Sequence, residues 1–300
     1  MKTAGIIAEY NPFHKGHEYQ IRYTKERLKA DYVIVAMSGD YVQRGTPALI
    51  SKHVRAEMAL RCGADLVLEM PVSISTASAE AFAMGGVSLL DSLGVVDMLC
   101  FGSESGEISA LKELAEILVE EPKEYKKLLK SFLSEGLTFP AARSQALTEY
   151  FKNPRNFNGD DFDGVLTPLL NEVTQILNTP NNILGIEYCK AILEQEAPMT
   201  PVPLPRVGAG HGQALAESGH AQFASASALR ALWAEQGADA LTPYVPEKAL
   251  ELYKKAEIDG MYTDHAAAGR CELALLRAAC ARPEPFAAVR GVSEGLDHRL

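Results

Sequence analysis

Two histidines three residues apart, in Tyr10-Asn11-Pro12-Phe13-His14-Lys15-Gly16-His17, are the residues of this chain best placed to do chemistry. They follow the apolar run Ala4–Ala8, which reads as a short buried strand, and precede Glu18–Tyr23, where a helical pattern begins. Pro12 cannot continue a central strand, so the chain must turn there. Gly16 keeps the backbone bare and lets a ligand approach closely. At a helix start, residues three apart share one face, so both imidazoles sit over the amino-terminal end of the dipole. A strand, a turn and a helix N-terminus make an anion site. Two imidazoles added to it can donate hydrogen bonds to charge that builds on a phosphoryl group during displacement. The chemistry expected is nucleotidyl transfer. The bland alternative, two surface histidines on a turn, loses ground because a strand precedes the pair and a helix follows it.

The elements that must carry this turn alternate in the doubly wound manner. After the strand Ala4–Ala8 and a helix over Lys15–Leu28, Asp31–Met37 reads as a second strand, ending at Ser38-Gly39-Asp40. A helix over Ser51–Arg61, a strand Asp65–Glu69, a small-residue helix Ser78–Leu93 and a fourth strand Asp97–Phe101 follow. Continuous apolar strands separated by helices predict an α/β fold, a Rossmann-like parallel sheet covered on both faces. Ligands of such sheets bind beyond the carboxyl ends of the strands, where His14, Asp40 and Gly102 all lie. Glu107–Lys152 is helical and charged and reads as a helical hairpin with solvated faces, inserted over about 107–176. Asn158–Gly164 lacks the ordered ligand spacing of a calcium loop and reads as a polar turn. A helix is expected near Asn178–Asn182 with asparagine in the capping position, and a fifth strand over Thr200–Leu204. Gly208–Gly219 reads as a glycine-rich loop. Pro243-Tyr244-Val245-Pro246 marks a boundary, so residues 1–240 are expected to form the catalytic domain and 241–300 the start of a C-terminal helical one. The chain stops at Leu300 without a terminating pattern, which reads as truncation.

Composition sets the limits. With 300 residues, 47% hydrophobic and 23% charged, the chain can bury one large core and a smaller one. The N-terminus carries no basic-apolar-small signal pattern and no apolar run reaches membrane-spanning length, so a cytoplasmic protein without a membrane partner is expected. Five scattered cysteines without a C-x-x-C pair disfavour disulfides and structural zinc, leaving buried apolar cysteine as the expectation for each. A net charge of −10 argues against broad non-specific binding to nucleic acid. The last hundred residues hold 10 Lys/Arg against 12 Asp/Glu, so the excess lies earlier and any polyanion must meet a local patch.

Further constellations converge on an anion. Lys52 and Arg55, one turn apart at the helix after the second strand, could reach a triphosphate from the rim of the sheet. Spacing alone makes a solvated helix face equally acceptable. Ala224-Ser225-Ala226-Ser227-Ala228-Leu229-Arg230 places two hydroxyls at a helix start with a cation one turn on, and an ordinary N-cap explains it as well. Asn181 and Asn182 would by themselves be caps, and Arg206 a surface cation.

The histidine spacing resembles the H-x-G-H signature of the nucleotidyltransferase superfamily that includes class I aminoacyl-tRNA synthetases, in which the histidines steady the α-phosphate of ATP. Ser225–Arg230 is similar to the serine-rich element with which those enzymes hold the β- and γ-phosphates. Six blocks in order make the resemblance more specific: Tyr10–His17, Met37–Gly45, Phe101–Glu104, Pro180–Tyr188, Arg206–Gly210 and Ser225–Arg230. Together they resemble the bacterial tRNA(Met) cytidine acetate ligase family over nearly the whole chain. Two positions depart from that pattern: His211-Gly212 stands where relatives carry an aromatic residue and then histidine, and Asp40 where asparagine is common.

The resemblance implies an ATP-dependent ligase that converts acetate to acetyl-adenylate and acetylates the wobble cytidine of elongator tRNA(Met), with no protein partner implied. Carried over by position, the ATP site comprises Ile7, Ala8, Glu9, Tyr10, Asn11, Pro12, Phe13, His14, Lys15, Gly16, His17 and Gln20, with Gly102, Asn181 and Arg206. His14 and His17 would steady the α-phosphate. Lys52, Ser225, Ser227 and Arg230 would hold the departing pyrophosphate, with Mg²⁺ as helper. The rivals are a small-molecule adenylyl- or cytidylyltransferase of cofactor biosynthesis, which would need a second cation cluster, and a nucleotide-sensing module without catalysis.

Overall fold

The computed structural model describes residues 1–153, 156, 173–205 and 224–280. Five strands form one parallel sheet: β1 (Thr3–Ala8), β2 (Tyr32–Ser38), β3 (Leu66–Met70), β4 (Met98–Ser103) and β5 (Thr200–Pro205), in the order β3-β2-β1-β4-β5. The doubly wound α/β sheet is as expected, and the four expected strands and Thr200–Leu204 are present to within two residues at either end. The order reverses between β1 and β4, which opens a crevice at their carboxyl ends.

Period-2 alternation splits the strands between two cores, because successive side chains leave a strand on opposite faces. Ile7, Ile34, Ala36, Leu99 and Phe101 point into one. Ile6, Val33, Val35, Met37 and Cys100 point into the other. Three aspartates that precede strands tie the amino edge: Asp31, Asp65 and Asp97 each accept a backbone N–H at 2.7 Å, from Lys2, Val33 and Thr3 respectively. β5 tolerates three prolines because Pro201, Pro203 and Pro205 are two apart. All three missing donors then fall on one side of an edge strand, away from β4.

The helices begin with α1 (Lys15–Glu26), α2 (Lys52–Arg61), α3 (Val72–Ser75) and α4 (Ala79–Asp91). The segment expected as a solvated hairpin is instead three helices, α5 (Ile108–Glu120), α6 (Lys123–Ser134) and α7 (Phe139–Lys152). It is not solvated throughout: Leu111, Leu114 and Ala115 of α5 and Ala146, Leu147 and Phe151 of α7 are buried in the same core as Phe101. Amphipathic helices bury their apolar stripe and leave only the charged one in water. Beyond the boundary expected at residue 241, Ala249, Leu252, Tyr253 and Ala256 of the helix Glu247–Ile258 share a core with Ile6 and Phe13. The helix His265–Cys280 is largely exposed, and Cys271 with it, whereas Cys100 and Cys189 are buried. Exposure of Cys271 departs from the expectation of a buried thiol. Asn158–Gly164 and Gly208–Gly219 lie outside the described residues. Among the described residues no helix is long and apolar enough to cross a membrane.

Candidate active site at the switch point of the sheet

His14 is the N-cap of α1. Its Nδ1 accepts the Gly16 N–H at 3.0 Å, while Nδ1 of His17 accepts the N–H of His14 at 3.2 Å. This reciprocal arrangement is a capping box built from imidazoles, and it satisfies two backbone donors that the helix itself cannot pair. The rings stack, with centroids 3.8 Å apart and 21° between planes. In a neutral imidazole one nitrogen donates and the other accepts, so two accepting Nδ1 atoms assign the proton to Nε2 in both rings. The pair is therefore set to donate through Nε2. His14 is buried rather than lying open on the turn.

The turn before the histidines is tightly held. Tyr10 takes φ +50°, a left-handed conformation that costs a non-glycine residue of order 1 kcal/mol and persists where the surroundings over-determine it. Its ring packs edge-on against Phe13 and tilts over His17, at 4.9 and 4.8 Å between centroids. The Asn11–Pro12 peptide is cis. Asn11 Oδ1 accepts the Leu49 N–H at 2.8 Å, and Glu9 Oε1 accepts that of Gln43 at 3.0 Å. Ile7 and Ala8 complete β1 beneath the site.

Several other expected ligands turn out to have structural partners. Lys15 Nζ donates to Pro243 O at 2.7 Å, and Gln20 Nε2 to Cys100 O at 3.0 Å. Arg55 does not reach the rim. It is wholly buried and donates to the carbonyls of Ile50, Glu9, Ser38 and Gly39, knotting the carboxyl ends of β1 and β2 together. Both readings of it as a rim cation or a solvated face are overturned, because four inward carbonyls satisfy a guanidinium that burial would otherwise penalise. Lys52, at the start of α2, grips both oxygens of Glu69 at 2.7 and 2.8 Å and lies 3.8 Å from Asp40. The Glu69 hydrogen bond holds its ammonium above the usual lysine range, so it stays charged. Asp40 Oδ1 also accepts the Lys52 N–H at 2.9 Å, a task that an asparagine oxygen could share.

Across the crevice, Gly102 lies in β4, and the turn after it meets the N-terminus of the helix Pro180–Glu194. Asparagine is not the cap there: Thr179 holds that position, and Asn181 and Asn182 fall inside the first turn. Glu104, which the sequence marked only as the end of the Phe101–Glu104 block and with no role of its own, does the capping work from a distance. Its Oε2 accepts the Asn182 N–H at 2.9 Å and its Oε1 the Asn181 amide at 2.5 Å. Ser225 is the N-cap of Ala226–Gln236, accepting from Ala228 N at 3.3 Å, with Ser227 Oγ at 3.1 Å from its own. Arg230 donates to Asn11 O at 2.6 Å. His14, His17, Asn11 and Arg230 are thus brought together, while Arg206 lies outside the described residues. Tyr253, also missed, donates its buried hydroxyl to Phe13 O at 2.9 Å. No local pattern could have disclosed a partner 240 residues away.

The HIGH Nucleotidyl Transferase family model matches residues 1–300. The tRNA(Met) cytidine acetate ligase of Clostridium perfringens (strain SM101 / Type A) is 39% identical over 303 residues, covering 100% of this chain and 70% of that protein. That of Thermoanaerobacter sp. (strain X514) is 43% identical over 256 residues, 85% of this chain and 59% of its own length. The crystal structure of Thermotoga maritima TmcAL bound with alpha-thio ATP superposes with a TM-score of 0.85 at 37% identity, over 100% of this chain and 66% of that one. A stacked, Nδ1-anchored histidine pair at the switch point, the whole-chain match to the HIGH nucleotidyltransferases and relatives of this closeness agree: the chain belongs to the tRNA(Met) cytidine acetate ligase family.

Proposed function

We propose that this chain is an ATP-dependent ligase that activates acetate as acetyl-adenylate and passes the acetyl group to the exocyclic amine of the wobble cytidine in elongator tRNA(Met), in the cytoplasm. The observation that supports it most is the His14–His17 pair, whose Nδ1 atoms are both engaged by backbone amides at the head of α1. In the first step an acetate oxygen attacks the α-phosphorus, the bond to the bridging oxygen breaks, and pyrophosphate leaves. This needs no protein nucleophile, only positioning and stabilisation of charge. Nε2–H of each histidine donates to the α-phosphate oxygens, and the positive end of α1 adds to the same field. In the second step the cytidine amine attacks the acyl carbon, AMP departs with the bonding electrons, and the amine gives up a proton. The base must be extruded from its stack to arrive there.

Gly102, Asn181 and Arg206 are the proposed nucleotide contacts on the far side of the crevice. Lys52, Ser225, Ser227 and Arg230 are the proposed contacts of the departing pyrophosphate, Lys52 after release from Glu69. For Mg²⁺, the described residues offer no cage that fits: no three His, Cys, Asp or Glu side chains converge among them, and Lys52 already neutralises Glu69. The ion is proposed to travel with the triphosphate, whose oxygens it prefers to protein ligands.

The reading is tested by ATP–pyrophosphate exchange. Exchange that depends on acetate, followed by acetyl transfer to tRNA(Met), is expected. Exchange that needs a phosphorylated metabolite instead points to a small-molecule adenylyl- or cytidylyltransferase, and no exchange to a nucleotide-binding module.

A further inference from the structure

Alternate carbonyls of the turn are each held by a side chain from a distant element. Glu9 O accepts from Arg55 at 2.5 Å, Asn11 O from Arg230 at 2.6 Å and Phe13 O from Tyr253 at 2.9 Å, across 46, 219 and 240 residues of chain. The third is the most telling, because the carbonyl of Phe13 and the N–H of His14 belong to one planar peptide unit. Tyr253 holds its oxygen, and Nδ1 of His17 accepts its N–H at 3.2 Å. If that plane rotates, the N–H no longer meets His17. A carbonyl that accepts a hydrogen bond also polarises its own amide, which strengthens the N–H as a donor.

We infer that Tyr253 is a positioning residue for the adenylation chemistry: through the Phe13–His14 peptide it keeps Nδ1 of His17 an acceptor and so keeps the proton on Nε2. The inference rests on the adenylation reading for its kinetic consequence, though not for its effect on the histidine. Three features of Tyr253 fit the role. Its side chain is fully buried, its hydroxyl bonds the backbone of the turn, and the ring is braced edge-on by Trp233 at 5.8 Å. Burial also pushes the phenol well above its ordinary range, so it remains a donor throughout the working pH range.

The test is Tyr253→Phe, which keeps the ring and removes the single hydroxyl. Nitrogen-15 spectra of histidine-labelled protein report the tautomer of His17 directly. Wild-type protein is expected to show His17 protonated at Nε2, and the variant a mixture of both tautomers with an unchanged fold by thermal melting. In acetate-dependent ATP–pyrophosphate exchange, kcat is expected to fall about tenfold, the worth of one hydrogen bond, while KM for ATP stays within about twofold. An unchanged tautomer in a folded variant overturns the inference, as does a fall confined to KM. A variant that no longer folds overturns it too, since the hydroxyl would then be needed for the fold itself. Should wild-type protein show no exchange, the adenylation reading fails, and the His17 spectrum still decides the role of Tyr253.

Discussion

Glu104 and Asn181 meet on the β4 side of the crevice, with Asn181 Nδ2 donating to Glu104 Oε1 at 2.5 Å. The same carboxylate accepts the backbone N–H of Asn182, so an anion from the end of β4 sits on donors of a helix N-terminus that the helix itself cannot pair. The two neighbouring asparagines therefore have separate duties. Asn182 fixes the loop after β4, and Asn181, on the Glu104 carboxylate, is the one proposed to contact the nucleotide.

That division predicts opposite phenotypes. Asn182 is buried, and its Oδ1 accepts from Ser103 Oγ at 2.6 Å and Glu104 N at 2.9 Å. Asn182→Ala leaves these donors unpaired and is expected to cost about 1–3 kcal/mol in urea unfolding. Asn181→Ala should change stability by less than about 1 kcal/mol and weaken ATP binding roughly fivefold to tenfold by calorimetry. Equal unfolding midpoints for the two variants would show that the duties are not divided.

Capping and catalysis by His14 can be separated. His14→Ala loses the acceptor for Gly16 N and should lose about 1 kcal/mol along with about 10²–10³ in acetate-dependent exchange. His14→Asn restores a side-chain cap and should recover the stability alone. Exchange close to wild type in the asparagine variant, at saturating ATP, would remove His14 from the chemistry.

Gly185 sits where the helix Pro180–Glu194 crosses Phe101. A Cβ there would lie 2.8 Å from Cε2 of the ring and 3.2 Å from Leu111 Cδ1. Alanine gains about 1 kcal/mol of helix propensity, but overpacking against a ring fixed in the core costs about 1–3 kcal/mol. Gly185→Ala is expected to lower the melting temperature by several degrees with the exchange activity retained. A stabilised variant would mean that the ring has room to yield.

The Glu80–Lys190 pair joins α4 to the helix Pro180–Glu194 on the partly exposed face of the first core. The hydrogen bond from Lys190 holds the Glu80 carboxyl below its ordinary range. Its contribution is therefore present above the usual glutamate pKa and lost as pH falls through the lowered folded value. Because Glu80 is half exposed, screening limits the effect to about 0.5–1 kcal/mol. Urea unfolding of wild type and Glu80→Gln should differ by that much at neutral pH and converge in acid. A gap that persists below about pH 3 would assign it to packing.

Much of the architecture follows from the sequence alone. Apolar runs of strand length, the periodicity of α1, α2 and α4, and the punctuation at Pro12 and Gly16 are local properties, and they fix a doubly wound sheet with the histidine turn at its carboxyl edge. Even the proline-bearing β5 can be read, because spacing by two keeps one edge of a strand intact. What the tertiary structure alone decided is the direction in which the polar side chains point. Arg55 and Lys52 are three residues apart on one helix, yet one is sealed against four carbonyls and the other grips Glu69 at the rim. Asn182 reads as a cap and serves as an anchor for the β4 turn. Tyr253 carries no motif, and acquires its place only because the helix Glu247–Ile258 packs beneath the turn. Hydrogen bonds of polar side chains saturate on whatever partner the fold brings within about 3 Å. Those partners lie far away along the chain, so periodicity and local spacing carry no trace of them.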